Sequence, residues 1–150
     1  MPSWLPPQRC SDVTRLLGID PGTRRCGIAV SDSNQRMAFP RAALTNDEQL
    51  LTRLAQLIEQ ESISAIVVGR PVALSGNETP STAAADELAT ALQARFAQLK
   101  VARWDERLTT VEAQRSLSGA GLKARDHRER IDSAAAVILL QNYLDARTAN

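Results

Sequence analysis

The chain is short of the residues that carry covalent and soft-metal chemistry. Its 150 residues include two cysteines and one histidine. Cys10 and Cys26 have neither metal-type spacing nor the density of a disulfide framework, so free thiols are expected. Aromatics make up 3% of the chain, too few for a platform on which single-stranded bases stack. A net charge of +1 excludes a global basic field, so any nucleic-acid contact must come from a local basic surface. Lysine is also scarce, with two residues against sixteen arginines. Arginine suits bidentate phosphate contacts, although genomic base composition produces the same bias. No apolar run approaches a membrane span, and the opening residues MPSWLPPQRC do not read as a secretory leader. A cytoplasmic protein without membrane partners is expected.

What is present is ordinary for a single globular domain. Hydrophobic residues make up 43% and charged residues 23%, and the length suits one core. Residues 1–13, rich in Pro and polar groups, read as a flexible N-terminal tail. Residues 14–150 read as the domain.

The domain is organised around residues 16–32, LLGIDPGTRRCGIAVSD. Two apolar runs flank a Pro- and Gly-containing turn, the pattern of a β-hairpin. Asp20 falls where the first strand ends. Either it caps its own turn, or its carboxylate points from a rigid element into the space beyond the sheet. Residues 37–44 read as a third strand, with Pro40 requiring an edge or a bulge. Thr45 and Glu48 have capping-box spacing ahead of a helix whose apolar face holds Leu50, Leu51, Leu54, Leu57 and Ile58. Residues 63–69 form a continuous apolar run, as in a strand buried on both faces.

Residues 70–79 read as a loop past that strand, and Pro80 as the first residue of a helix. Its expected stripe is Ala84, Leu88, Ala91, Leu92 and Phe96. Residues 100–106 form the next strand candidate and end in Asp105 and Glu106. Thr109 and Glu112 have the spacing of a second capping box, opening a helix to about residue 118. Residues 118–128 read as a charged loop. A last helix follows over about 129–145, its apolar face made by Ile131, Ala134, Ala135, Ile138 and Leu139. Three strands followed by alternating helices and strands predict a mixed α/β sheet covered by helices.

Ligand sites in such sheets form beyond the carboxyl ends of the parallel strands. Asp20, Asp105, Glu106 and Arg70 all fall at such ends, and Asp132 lies near the start of the last helix. Converging carboxylates repel unless a cation neutralises them. Mg²⁺ or Mn²⁺ takes oxygen ligands. Two such ions roughly 4 Å apart clamp the attacking and leaving oxygens of a phosphodiester. That chemistry needs no histidine or cysteine. Taken singly, each acid also has a bland explanation as a solvated or helix-end charge.

Four blocks carry a resemblance to a known family. They are residues 16–32, then 66–80 (IVVGRPVALSGNETP), 104–117 (WDERLTTVEAQRSL) and 130–145 (RIDSAAAVILLQNYLD). The chain resembles the YqgF (RuvX) family of Holliday-junction-resolvase-like nucleases, which is similar to ribonuclease H in fold. The resemblance implies a five-stranded mixed sheet and a nuclease site at Asp20, Glu106 and Asp132, the positions that would hold Mg²⁺ or Mn²⁺. Asp105 is the alternative to Glu106; strand alternation points the two oppositely. The family is associated with processing the 5′ end of pre-16S ribosomal RNA, so structured RNA, in a preribosome or free, is the implied partner. The sequence departs from the family at Arg70 and Ser75, both next to or within the loop that could touch substrate.

Candidate phosphate contacts are Arg24, Arg25, Arg70, Arg107 and Arg115, together with Lys123, Arg125, Arg128 and Arg130 in the basic stretch before Asp132. His127 is a candidate proton shuttle or a plain loop residue. Two other functions compete. One is resolution of four-way DNA junctions, which needs paired active sites and hence a homodimer rather than a monomer. The other is a non-catalytic RNA-binding assembly factor.

Overall fold

The computed structural model describes residues 14–73, 75–106 and 124–149, with side chains described for 14–73, 75–106 and 133–147. The strands are β1 (Arg15–Asp20), β2 (Arg25–Ser31), β3 (Ala38–Thr45), β4 (Ile63–Arg70) and β5 (Lys100–Asp105). The helices are α1 (Leu50–Gln60), α2 (Pro80–Arg95) and α3 (Ala124–Ala149). One five-stranded sheet has the order β3-β2-β1-β4-β5. β1 and β2 form the antiparallel hairpin, β3 joins β2 antiparallel, and β4 and β5 run parallel to β1. This is the mixed α/β sheet that the sequence predicts. Pro40 lies on the edge strand β3, where a missing N–H is tolerated.

Period-two alternation divides the strands between two cores. Leu17, Ile19, Ile28, Val30, Ile66 and Val68 face Leu50 and Leu54 of α1 and Ala89 and Leu92 of α2. Leu16, Ala29 and Val67 face Ala136, Leu139, Leu140 and Leu144 of α3. β1 and β4 are therefore covered on both sides, which is why they read as unbroken apolar runs. Helix α3 packs closely on β1. A Cβ at Gly18 would lie 2.9 Å from Leu140 Cβ, so only glycine allows this approach.

Local details depart from the sequence reading at four places. Thr45 and Glu48 make no capping box. Thr45 is the last residue of β3, and α1 begins at Leu50 without a side-chain cap. Asp47 organises that turn instead, accepting from the Gln49 N–H and from Arg53. Strand pairing thus claims the threonine before the helix can.

On α2, Pro80 does stand at the helix start, capped by Thr79 and Thr82 reciprocally. Of the expected stripe, Leu92 is buried and Leu88 and Phe96 pack against the core, but the rest of the buried face is Thr82, Ala85 and Ala89, and Ala84 is exposed. In so alanine-rich a helix, hydrophobicity alone cannot phase the stripe.

Helix α3 begins at Ala124, so residues 124–128 are helical rather than looped. Ile138 and Leu139 are buried as expected, and the buried face also takes in Ala136, Leu140 and Leu144, with Ala135 exposed. The expected tail at 1–13, the capping box at Thr109 and Glu112 and the loop at 118–123 lie outside the described residues.

Candidate active site

The carboxyl ends of β1, β4 and β5 meet at one edge of the sheet. Alternation decides which side chains share a face there. On β1, Gly18 faces α3, so Asp20, two residues on, faces the same way. On β5, Trp104 belongs to the core under α3 and stacks edge-on against Tyr143 at 5.4 Å. Glu106 follows two residues later on that face. Asp105 falls on the other, as does Arg70 on β4.

Asp20 and Glu106 come together as a pair. Their carboxyl groups lie within hydrogen-bonding reach of each other. Burial raises the Asp20 carboxyl above its ordinary value. Burial, and then the adjacent Asp20 charge, pushes Glu106 up to about 8. Two carboxylates in partial isolation from water cannot both ionise cheaply, so the pair retains a proton near neutral pH. Glu106 Oε2 is fully enclosed, and no described hydrogen-bond donor reaches it. A buried acceptor without a donor is costly. Oxygen donors, like charges and an unsatisfied buried oxygen together fit a hard divalent cation. Among the described residues no cluster of three or more Asp, Glu, His or Cys forms; the pair supplies two.

Asp132 belongs to α3, and its side chain lies outside those described. Its neighbour fixes where that part of the helix stands. Ser133, wholly buried, accepts from the Ile28 N–H at 3.1 Å and donates to the Arg41 carbonyl at 2.6 Å. Ile28 and Arg41 are ladder partners, and the β2–β3 register shifts by a bulge beside them. The serine hydroxyl thus sits in the opened ladder as a bridge. Ile28 pairs with Ile19, one step from Asp20. The helix is pinned at the level of the Asp20 end of the sheet, with Asp132 one residue before the pin.

The expected phosphate contacts divide. Arg24 and Arg25 are exposed just past Asp20, at the tip of the β1–β2 hairpin. That tip is held by Asn46, whose backbone N–H donates to the Arg24 carbonyl and whose side chain donates to the Gly22 carbonyl. Arg70 is turned toward α2. Its guanidinium binds Asp86 at 3.0 Å and Glu78 at 2.8 Å, on the face opposite the carboxyl pair. Arg103 shares Asp86 at 3.3 Å. Arg107, Arg115 and Lys123 lie outside the described residues, as do the side chains of Arg125, His127, Arg128 and Arg130. Cys26 is buried and its thiol is raised mainly by burial, which suits a packing role.

Sequence reasoning missed Ser133 and Gly69. A serine opening the apolar run of the last helix was a signal for the first. Gly69, inside an otherwise continuous apolar strand, was a signal for the second.

Residues 14–146 match the family model described as RuvX, Holliday junction resolvase. A relative from Mycolicibacterium paratuberculosis is 44% identical over 137 residues, covering 90% of this chain and 82% of its own. One from Chloroflexus aggregans is 38% identical over 134 residues, covering 88% and 94%. Both carry the name "Putative pre-16S rRNA nuclease". Among solved structures, Thermus thermophilus RuvC bound to a Holliday junction substrate aligns with a TM-score of 0.62 at 14% identity, covering 91% of this chain and 97% of its own. The yeast mitochondrial Holliday junction resolvase aligns at 0.55 and 13% identity, covering 94% and 84%. At such identities the likeness is one of fold, here that of the resolvases.

Proposed function

The chain belongs to the RuvX family, and from that premise we propose that it is a metal-dependent nuclease that processes pre-16S ribosomal RNA. Residues 14–150 act as the nuclease domain. The names of the relatives at 38–44% identity support the substrate. The observation that carries the chemistry is the buried Asp20–Glu106 pair with its unsatisfied oxygen.

Asp20, Glu106 and Asp132 would hold the ion, Mg²⁺ or Mn²⁺. Once bound, a divalent cation supplies the positive charge that stabilises the oxygens of the scissile phosphate as charge builds on them. The protein's own contribution is placement. β1 and β5 present Asp20 and Glu106 from rigid strand ends, and the Ser133 bridge fixes the helix that carries Asp132. Burial favours a proton on the pair, and a cation held there would require both carboxylates to be ionised. Arg24 and Arg25, exposed at the tip of the hairpin that carries Asp20, bind backbone phosphates flanking the cut. Arg107, Lys123, Arg125 and Arg128 extend that basic surface. Arg70, engaged by two carboxylates, contributes only if substrate displaces Glu78, the more exposed partner.

The decisive experiment is cleavage by the purified protein with Mg²⁺ or Mn²⁺, using a pre-16S ribosomal RNA fragment and a four-way DNA junction, beside Asp20→Asn. RNA cleavage lost in the variant is the expected result. Cleavage of the junction alone selects the second reading, a resolvase acting as a symmetric dimer. The family model's description and the resolvase fold favour that alternative. RNA binding without cleavage by either protein would replace both readings with that of an assembly factor.

A further inference from the structure

β4 lies between the two strands that carry the carboxyl pair. The sheet order places β1 and β5 on either side of it. Neighbouring strands are about 4.8 Å apart, so β1 and β5 are separated by roughly 10 Å. Acids at their ends meet only if one side chain crosses the end of β4. The register names the residue crossed. Gly69 pairs with Trp104 of β5, and Val68 pairs with Ile19 of β1. Gly69 therefore stands between Asp20 on one side and Trp104 on the other, on the face toward α3. Glu106, just past the end of β5, folds back over it.

The space is filled to contact. A Cβ at residue 69 would lie 2.6 Å from Glu106 Oε2 and 3.2 Å from both its Cδ and Cγ. It would meet three consecutive atoms of the side chain, Cγ, Cδ and Oε2, at once. The enclosed oxygen is the same one that lacks a donor. Gly69 shows no positive φ among the residues that do, so backbone conformation does not call for glycine here. The missing side chain does.

We infer that Gly69 is a positioning residue for the proposed metal site: the absent side chain is the gap through which Glu106 crosses β4 to reach Asp20. The inference rests on the metal-nuclease reading for its consequence, but not for its geometry. Alanine at 69 leaves the strand intact, since alanine suits a strand interior no worse than glycine. It displaces the Glu106 carboxylate and separates the pair.

The test compares the full-length wild type with Gly69→Ala, Glu106→Ala and the double variant. Two quantities are measured: thermal unfolding without metal, and Mn²⁺ affinity by titration calorimetry. Gly69→Ala is expected to shift the unfolding temperature in the wild-type background, where the Glu106 carboxylate must give way. In the Glu106→Ala background it is expected to have no effect, because the obstructing atoms are gone. Mn²⁺ affinity is expected to fall at least about tenfold in Gly69→Ala, the usual scale for losing a residue that orients a ligand. If Gly69→Ala fails to fold while the double variant folds, the inference stands. It is overturned if Gly69→Ala shifts the unfolding temperature equally in both backgrounds, if neither Gly69→Ala nor the double variant folds, or if Gly69→Ala binds Mn²⁺ as the wild type does. A wild type that binds no Mn²⁺ would sink the metal reading, and the stability comparison would still decide the role of Gly69.

Discussion

Ser133→Ala removes one oxygen and tests how α3 is tied to the sheet. The hydroxyl makes two buried hydrogen bonds, one to the Ile28 N–H at 3.1 Å and one to the Arg41 carbonyl at 2.6 Å. Each such bond contributes about 0.5–1.5 kcal/mol net, and a buried group left unpaired costs about 1–3 kcal/mol. Two limits follow. If β2 and β3 close the gap and pair Ile28 with Arg41 directly, the loss is about 1 kcal/mol. If the bulge holds them apart, both groups are orphaned and the loss is about 2–6 kcal/mol. The second limit is expected. The register shift next to Ile28 belongs to the backbone of both strands, and the serine site, with no solvent exposure, has no water to take over. In a domain of this size that corresponds to a fall of roughly 4–24 °C in unfolding temperature. Urea unfolding gives the energy, and amide hydrogen exchange at Ile28 gives the location. A loss below about 0.5 kcal/mol with unchanged Ile28 exchange would refute the bridge.

Glu106 governs how stability varies with pH in the metal-free protein. Its folded value, about 8, lies above its ordinary 4.5, so the folded chain holds a proton that the unfolded chain releases. That contribution is complete below about pH 4.5 and is lost as pH rises through 8. Asp20 is shifted in the same direction. Unfolding followed across this range should show the decline, and Glu106→Gln should flatten it and unfold at higher temperature than the wild type at pH 8. An equal slope in both proteins would refute the assignment. Gly18→Ala should cost about 1–3 kcal/mol by overpacking, because its Cβ would meet Leu140 Cβ at 2.9 Å; a neutral result in urea unfolding would mean that α3 shifts freely. Thr79→Ala should cost about 1 kcal/mol by removing the acceptor for the Thr82 N–H, read as a lower urea midpoint with an unchanged slope.

The architecture was legible because its signals were redundant. The hairpin had two apolar runs and a Pro-Gly turn, β4 had a continuous buried run, and α2 had Pro80 at its start. Where a single weak signal stood alone, tertiary structure overrode it. Thr45 and Glu48 had capping-box spacing, but β3 extends through Thr45 to pair with Arg25 of β2, and a ladder pairing outweighs one cap. Leu88, Leu92 and Phe96 of α2 do face the core as expected, but Ala84 was misplaced for another reason. Ala83, Ala84 and Ala85 are consecutive, and only contact with the sheet distinguishes the buried Ala85 from its exposed neighbours. Arg70 shows the same limit for charge. Its place at the end of β4 was readable, but its engagement by Asp86 and Glu78 depends on which face the strand turns toward α2.

The acids of the candidate site were legible as element ends, and their union was not. Sequence order places Asp20 and Glu106 at two strand ends but does not say which strand separates them. Had β5 paired directly with β1, the two carboxylates would have been neighbours and residue 69 irrelevant. With β4 between them, the meeting depends on a residue that has no chemistry of its own. Residue 69 must be small because Glu106 passes over it, and Glu106 must be long because it crosses a whole strand. The requirement couples two positions 37 residues apart in sequence through one steric contact. A site of this kind is specified by what one strand omits as much as by what the others supply. That is why a glycine in an apolar run, the least conspicuous member of its motif, is the first place to look for the determinant of the pair's geometry.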